Sequence, residues 1–175
     1  MDRPKRIRQL LLAKAKEEYS KRVNESENNN MIAPYSPSPL VMCSQVIAKL
    51  KLTSEDVVYD LGCGDGRWLF EAVKQSQCHA IGIEMDETLV HQIHTQIEAL
   101  DKDINPSRLQ VECGDVWSMR IQSQATVIII YAFMASLRRL KDTIFRQLNP
   151  GTRILSVGVS GLLSRVRLRC ILMML

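Results

Sequence analysis

A glycine-rich turn follows a short apolar stretch in the first half of the chain. Residues 57–61 read VVYDL and residues 62–66 read GCGDG. Glycines at alternate positions permit positive φ angles and leave no Cβ between the backbone and a ligand. The next residues carry apolar side chains at helical spacing, and the free N–H groups at a helix start favour polar or anionic atoms: Leu69, Ala72 and Val73. This strand–turn–helix order indicates a nucleotide-type cofactor site.

The spacing of the glycines distinguishes between two kinds of nucleotide cofactor. Dinucleotide sites carry G-x-G-x-x-G, whereas this chain has G-x-G-x-G with Asp60 two residues before the first glycine. A carboxylate at that place suits a cofactor with an ammonium group, such as S-adenosylmethionine, better than one with a pyrophosphate. The next apolar stretch ends in a second acid, Glu84, where βαβ nucleotide sites bind ribose hydroxyls. We therefore predict S-adenosylmethionine as the cofactor.

Four motifs together resemble class I S-adenosylmethionine-dependent methyltransferases over residues 31–157. They are DLGCGDGR at 60–67, GIEMD at 82–86, CGD at 113–115 and NPG at 149–151. Within that class, YSPSP at 35–39 followed by DVVYDLGCGDGR is similar to a narrower family. This family contains the mitochondrial protein-lysine methyltransferases of ATP synthase subunit c and the adenine nucleotide translocase, with their prokaryotic relatives. The resemblance implies a protein-lysine methyltransferase with a protein substrate.

Apolar patterns alternate between strand and helix along residues 56–157. We predict strands at 56–61, 79–84, 109–113, 125–131 and 153–157, and helices at 67–75, 87–100 and 135–148, with an earlier helix from Leu40. This order predicts an α/β fold with a Rossmann-like, doubly wound and mostly parallel sheet. Residues 127–130 are apolar without alternation, as in a central strand covered on both faces. Ligands of such sheets bind beyond the carboxyl ends of the strands.

The chain is short after the fifth predicted strand. The class I resemblance implies a further helix and two more strands, but 18 residues follow Val157. We therefore predict a sheet truncated after its fifth strand, in a shortened form of a longer methyltransferase. Basic and apolar residues alternate over 165–170, and this pattern could add one edge strand.

The candidate cofactor-binding residues come from the strand ends, the glycine turn and the segment before the first helix. They are Tyr35, Asp60, Gly62, Cys63, Gly64, Gly66, Glu84, Met85, Asp115 and Val116. By the class I resemblance, Asp115 lies beside the adenine, with Met85 and Val116 as apolar walls. The narrower resemblance implies that Tyr35 and residues 36–38 form part of a lid over the cofactor, while Ser38 could instead cap the helix that follows.

No catalytic residue is predicted, because methyl transfer from a sulfonium requires positioning more than acid–base chemistry. Asp65 and Arg67 are expected to be exposed turn residues that pair locally, without a chemical role. His91 and His94 share a helix face, but no third ligand supports a metal site. The fourth strand is not followed by Asn/Asp-Pro-Pro-Tyr, which disfavours adenine or glutamine methylation, and Tyr131 or Phe133 could wall a lysine channel. An inactive cofactor-binding remnant and a methyltransferase for RNA or small molecules are the alternatives.

Charge is uneven along the chain. Residues 1–22 carry eight basic and three acidic side chains, residues 153–175 carry four basic and no acidic ones, and the region between is acidic, which argues against nucleic acid at the site. Residues 1–23 have the pattern of a basic amphipathic helix. It could dock by its apolar stripe, act as a mitochondrial transit peptide, or contact membrane or RNA.

The polar run from Asn24 to Asn30 predicts a flexible linker over residues 24–33, followed by the methyltransferase domain at 34–175. The five cysteines have no disulfide or zinc spacing, and the sequence contains no secretory or transmembrane segment. We expect an intracellular protein, cytoplasmic or mitochondrial.

Overall fold

The computed structural model describes residues 31–100, 104–121, 124–160 and 167–174, together with residues 13, 14, 17, 18, 20, 21 and 24. The strands are β1 Val57–Leu61, β2 His79–Glu84, β3 Leu109–Cys113, β4 Val127–Tyr131, β5 Arg153–Ser160 and β6 Arg167–Met174. The helices are α1 Leu40–Leu50, α2 Arg67–Ser76, α3 Glu87–Glu98 and α4 Met134–Asp142, with 3-10 turns at Pro106–Arg108 and Phe145–Gln147.

All six strands form one sheet in the order β3-β2-β1-β4-β5-β6. The first five strands are parallel, and β6 is antiparallel to β5. The predicted doubly wound, mostly parallel sheet is confirmed. Successive strands are added toward one edge of the sheet from β1 to β3 and toward the other edge from β4 onward. This change between β1 and β4 opens a crevice at the carboxyl ends of these two strands.

The central strand β4 divides the core between the two faces of the sheet. Val127 and Ile129 pack with helices α1 to α3, whereas Ile128 and Ile130 pack with α4 on the other face. All four side chains are at most 1% exposed. Burial on both faces explains why this segment has no polar alternation, as the sequence predicted.

The parallel part of the sheet ends with β5, as predicted, and one antiparallel edge strand follows among the described residues. Strand β5 extends to Ser160, and β6 returns beside it to pair as far as Arg153 with Met174. The alternating pattern at 165–170 therefore does mark an edge strand, although the strand covers 167–174 and the sheet has six strands. The predicted helix over 135–148 ends at Asp142, and the rest of the predicted range contains a 3-10 turn at Phe145–Gln147.

The predicted linker is wrong at its carboxyl end. Ile32 lies within residues 24–33, yet it is 8% exposed and packs in the core cluster with Leu61 and Ile83. Burial of the isoleucine side chain stabilises the folded state, whereas the polar run before it has no apolar side chain to bury. The folded part therefore includes residues 31–33.

Most of the N-terminal helix prediction lies outside the described residues. Residues 13, 14, 17, 18, 20, 21 and 24 are helical and exposed, but Ile7, Leu11, Ala15 and Tyr19, which carry the apolar stripe, are not described. None of the helices in the described ranges has both the length and the apolar character needed to cross a membrane.

A charged network joins three elements at the opposite end of the sheet from the crevice. Arg153 donates to the Leu50 carbonyl at 2.6 Å and to Asp56 Oδ1 at 2.7 Å, and the Thr126 hydroxyl donates to the same oxygen at 2.6 Å. Burial alone would raise the pKa of Asp56, but the hydrogen bonds and the positive charge of Arg153 lower it. The charged form of Asp56 therefore stabilises the fold.

We expect Arg153→Met to lower the free energy of unfolding by about 1–3 kcal/mol, because it leaves Asp56 and the Leu50 carbonyl short of a donor. Arg146→Met is the matched control, since Arg146 pairs with Asp142 on the surface at 3.4 Å and the change should stay within about 0.5 kcal/mol. Urea unfolding of the two variants measures the difference. Equal losses in both variants would contradict the assignment.

Candidate functional site

An open cavity lies in the crevice at the carboxyl ends of the central strands. Its walls come from residues 31–38 before α1, the turn after β1, the end of β2, the loop after β3, and Tyr131 at the end of β4. We call residues 31–39 the lid segment, because they lie across the glycine turn from the strand ends. Nine of the ten predicted cofactor-binding residues line this cavity; the exception is Gly66.

The glycine turn depends on backbone angles that other residues adopt at a cost. Gly62, Gly64 and Gly66 have φ angles of +76°, +59° and +76°. A Cβ on Gly62 would lie 2.7 Å from Ile32 Cδ1, and one on Gly64 would lie 2.8 Å from Tyr35 Cε2. The lid segment therefore packs directly on bare backbone at two of the three glycines.

Gly66 has a different role from the one predicted. A Cβ there would meet Phe70 and Ile93 at 3.1 and 3.2 Å, so this glycine lets α2 begin close against α3. It is the N-cap residue of α2 and provides no side-chain cap. The G-x-G-x-G pattern thus combines two cavity glycines with one packing glycine, and sequence spacing does not separate these roles.

Glu84 joins the end of β2 to the glycine turn. Its Oε2 accepts a buried hydrogen bond of 2.8 Å from Gly64 N–H, and its Oε1 accepts from the N–H groups of Met85 and Asp86 at 2.9 and 3.0 Å. These bonds fix the carboxylate at the cavity wall. An acid held in this way at the end of the second strand is placed to accept hydrogen bonds from a ribose.

Asp60 lies under the turn with a carboxyl oxygen that is not satisfied. The residue is 3% exposed, and its Oδ2 is buried without a hydrogen-bond partner in the part of the chain that the structure describes. Burial, followed by the negative charges of Glu84 and Asp65, raises the pKa of Asp60 to about 8. A buried acceptor that faces a cavity and lacks a partner fits a ligand that brings a cationic donor, such as an ammonium group.

The other end of the cavity is formed by the loop after β3. Asp115 Oδ1 accepts from Trp117 N–H at 2.9 Å, which orders the loop, and Val116 is 7% exposed. Met85 lines the cavity from the other strand end and is 48% exposed. Apolar walls can enclose a flat base, and a carboxylate beside them can accept hydrogen bonds from its amino group. This combination fits adenine.

The lid segment is attached to the turn by polar contacts. Arg67 Nε donates to Asp65 Oδ1 at 2.8 Å, Nη2 pairs with Asp65 Oδ2, and Nη1 donates to the Ser38 carbonyl. The predicted pairing of Asp65 with Arg67 is confirmed. The predicted cap is wrong: Pro39 occupies the N-cap position of α1 without a side-chain hydrogen bond, and Ser38 is 5% exposed.

Several cavity residues were not among the predicted site residues, notably Ile32, Arg67 and Trp117. Trp117 also stacks with Arg139, whose guanidinium carbon lies 3.8 Å from the ring centre. An apolar residue at the end of a polar run was the available signal for Ile32. The sequence indicated the local pairing of Arg67, but not its contact with Ser38 or the contact of Trp117 with Arg139, because these partners lie far away in sequence.

Of the two residues that could wall a lysine channel, Tyr131 lines the cavity and Phe133 does not. Tyr131 is half-buried at the end of β4, whereas Phe133 is 7% exposed and is not a lining residue. His91 and His94 are both exposed on α3. The described ranges contain no cluster of three side chains able to hold a metal ion.

Comparison with known proteins gives one family. The model of the ANTKMT methyltransferase domain matches residues 60–158, more than half of the chain. A protein-lysine N-methyltransferase of Saccharolobus islandicus is 32% identical over 124 residues, which are 70% of this chain and 74% of that protein. A carboxy-S-adenosyl-L-methionine synthase of Actinobacillus succinogenes is 25% identical, and the match spans about half of its length, 49%.

A solved structure shares the fold. The crystal structure of an RNA methyltransferase from Salinibacter ruber in complex with S-adenosyl-L-homocysteine superimposes with a TM-score of 0.64 and is 29% identical. The match covers 70% of this chain and 77% of that one.

We expect the affinity for S-adenosylmethionine to rise with pH between about pH 6 and 8, by up to tenfold per unit. Below its pKa of about 8, Asp60 is protonated in the free protein, and binding an ammonium group requires the carboxylate. Binding therefore releases a proton. Calorimetry in two buffers of different ionisation heat measures this release.

Asp60→Asn removes the titrating group, and the cofactor's own ionisation is the same for both proteins. The variant should bind the cofactor more weakly at pH 8, and its affinity should no longer show the rise with pH that Asp60 contributes. Glu84 and Asp65 face Asp60 and remain in the variant, so an unchanged pH dependence would contradict the assignment of the proton to Asp60.

We expect Gly64→Ala to weaken cofactor binding by more than about tenfold, because the new methyl group pushes Tyr35 from the turn in addition to the cost of positive φ. Gly151→Ala is the matched control: its φ is +93°, but a Cβ there meets nothing within 4 Å. It should lose stability by about 1 kcal/mol and bind normally. Equal weakening in both would show that backbone strain, and not the site, is responsible.

Proposed function

Since the chain belongs to the ANTKMT methyltransferase family and is an S-adenosylmethionine-dependent methyltransferase, we propose that it transfers the methyl group to the side-chain amine of a protein lysine. The Saccharolobus islandicus protein-lysine N-methyltransferase supports this acceptor. The observation that carries the proposal is the acidic lining of the cavity.

Five carboxylates line the cavity and one cation accompanies them. The acids are Asp60, Asp65, Glu84, Asp86 and Asp115, and the cation is Arg67. Asp65 is neutralised by Arg67, and the raised pKa of Asp60 keeps that carboxyl largely uncharged in the free protein, so the negative character of the lining comes from the other three acids. A negative cavity attracts an amine in its ammonium form and repels the phosphates of a nucleic acid.

Each wall of the cavity has a separate task in this proposal. Asp60 and the glycine turn hold the amino acid part of the cofactor, Glu84 the ribose, and Asp115 with Val116 the adenine. Tyr131 stands at the end of the neighbouring strand, where the acceptor would enter. S-adenosylmethionine supplies a methyl group on a positively charged sulfur.

Methyl transfer then requires little acid–base chemistry from the protein. The lone pair of a neutral lysine amine forms a bond to the methyl carbon while the bond from this carbon to sulfur breaks. The proton lost by the lysine ammonium goes to solvent. The lid segment contributes by excluding water and holding the reacting groups in line.

The cofactor and acceptor assignments can be tested together. Tritiated S-adenosylmethionine is incubated with the full chain and with separated protein, RNA and small-molecule fractions of a heat-treated cell extract. Label is expected in protein, and acid hydrolysis of this protein should give methylated lysine. The Gly64→Ala variant should leave the fractions unlabelled, and Gly151→Ala should label them like wild type.

Each other outcome supports a different function. Label in RNA alone would favour the activity named for the Salinibacter ruber protein. Label in the small-molecule fraction would favour a metabolite acceptor. Binding of the cofactor without label in any fraction would favour an inactive remnant that acts as an interaction protein.

A further inference from the structure

Arg67 connects two parts of the site that are distant in sequence. It is the first residue of α2, and its side chain is 20% exposed. The guanidinium binds both carboxylate oxygens of Asp65 through Nε and Nη2, and its remaining nitrogen, Nη1, donates to the carbonyl of Ser38. One side chain thus joins the glycine turn to the lid segment.

The stability of α2 does not explain an arginine at this position. The N-terminus of a helix carries partial positive charge, and a cation in the first turn is unfavourable there. No acidic side chain lies in the first turn of α2 to offset this charge. Asp65, outside the helix, neutralises the guanidinium and fixes its plane.

The lid segment needs such an attachment because of its composition. Residues 31–39 form no helix or strand, and Pro34, Pro37 and Pro39 have no backbone N–H to donate. Ile32 is buried against Gly62, and the Tyr35 ring lies on Gly64 although the residue is 56% exposed. Burial of Ile32 fixes one end of the lid segment, and the contact at Ser38 fixes the other end. Tyr35 lies between these two points.

We propose that Arg67 is a positioning residue that fastens the lid segment to the glycine turn and thereby holds Tyr35 over the cofactor. The proposal rests on the cofactor site assigned above and is independent of the acceptor. It requires an arginine, because lysine cannot make a bidentate bond to Asp65 and still reach the Ser38 carbonyl. Tyr35 makes the contact with the cofactor, and Arg67 acts through Tyr35.

The test is a double-mutant cycle on cofactor binding. Calorimetry with S-adenosyl-L-homocysteine compares the wild type, Arg67→Met, Tyr35→Ala and the double variant. Each single change should weaken binding about tenfold. If Arg67 acts through Tyr35, the double variant should bind hardly less tightly than the weaker single variant, instead of about a hundredfold less tightly than wild type.

Two further variants separate positioning from general structural support. Arg67→Lys should bind nearly as weakly as Arg67→Met, since it keeps the charge but not the geometry. Arg108→Met is the matched control, because Arg108 also donates to a backbone carbonyl, that of Ser54 at 3.3 Å, away from the cavity. It should bind like wild type.

In a methylation assay Arg67→Met should raise the KM for the cofactor and change kcat at most threefold.

Asp65→Asn provides a second route if Arg67→Met does not fold, since it frees the guanidinium and should weaken binding in the same direction. Wild-type affinity in folded Arg67 variants, or additive losses in the double variant, would overturn the proposal. Failure of the wild type to bind S-adenosyl-L-homocysteine would instead overturn the cofactor site and the proposal with it. Normal binding without methylated lysine would remove only the proposed acceptor.

Discussion

The buried hydrogen bond from Gly64 N–H to Glu84 joins the two strand ends on which the site is built. It exists because Gly64 adopts positive φ and turns its amide toward the end of β2. With the turn fixed in this way, Asp60 lies below it, the lid segment lies on it, and α2 starts beyond it. A side chain at Gly64 would disturb this arrangement from the lid side, because Tyr35 occupies the space of its Cβ.

The site carries a cost in the absence of a cofactor. The carboxyl of Asp60 is nearly inaccessible and has an oxygen without a partner among the residues described, close to the carboxylate of Glu84. Burial and the neighbouring negative charges destabilise the charged form of Asp60, which is why its pKa is raised to about 8. Binding of a cation relieves the cost, so an unfavourable interaction in the free protein becomes selectivity for a cofactor that carries an ammonium group.

The sequence predicted the parts of the structure that depend on local order. Strand β3 at 109–113 and strand β2 at 79–84 have the predicted bounds, because apolar residues that alternate with polar ones in β3 and follow one another in β2 mark them. The acid at a strand end and the glycines after β1 likewise indicated the site. The role of Arg67 was not predictable, since its partner Ser38 is 29 residues away. The end of α4 was missed because an apolar pattern continues through the 3-10 turn at 145–147.

The same difference between local and distant contacts bears on substrate choice. The walls assigned to the cofactor are strand ends and a turn, and they are fixed by backbone geometry that a short motif specifies. The side proposed for the acceptor is marked by a single residue at a strand end, Tyr131 from β4. Changing such residues costs little in fold stability, so a common cofactor site can serve different acceptors. An acidic lining attracts cations without specifying a peptide. Under the proposed lysine activity, selectivity for one protein over another therefore has to come from the surface around Tyr131.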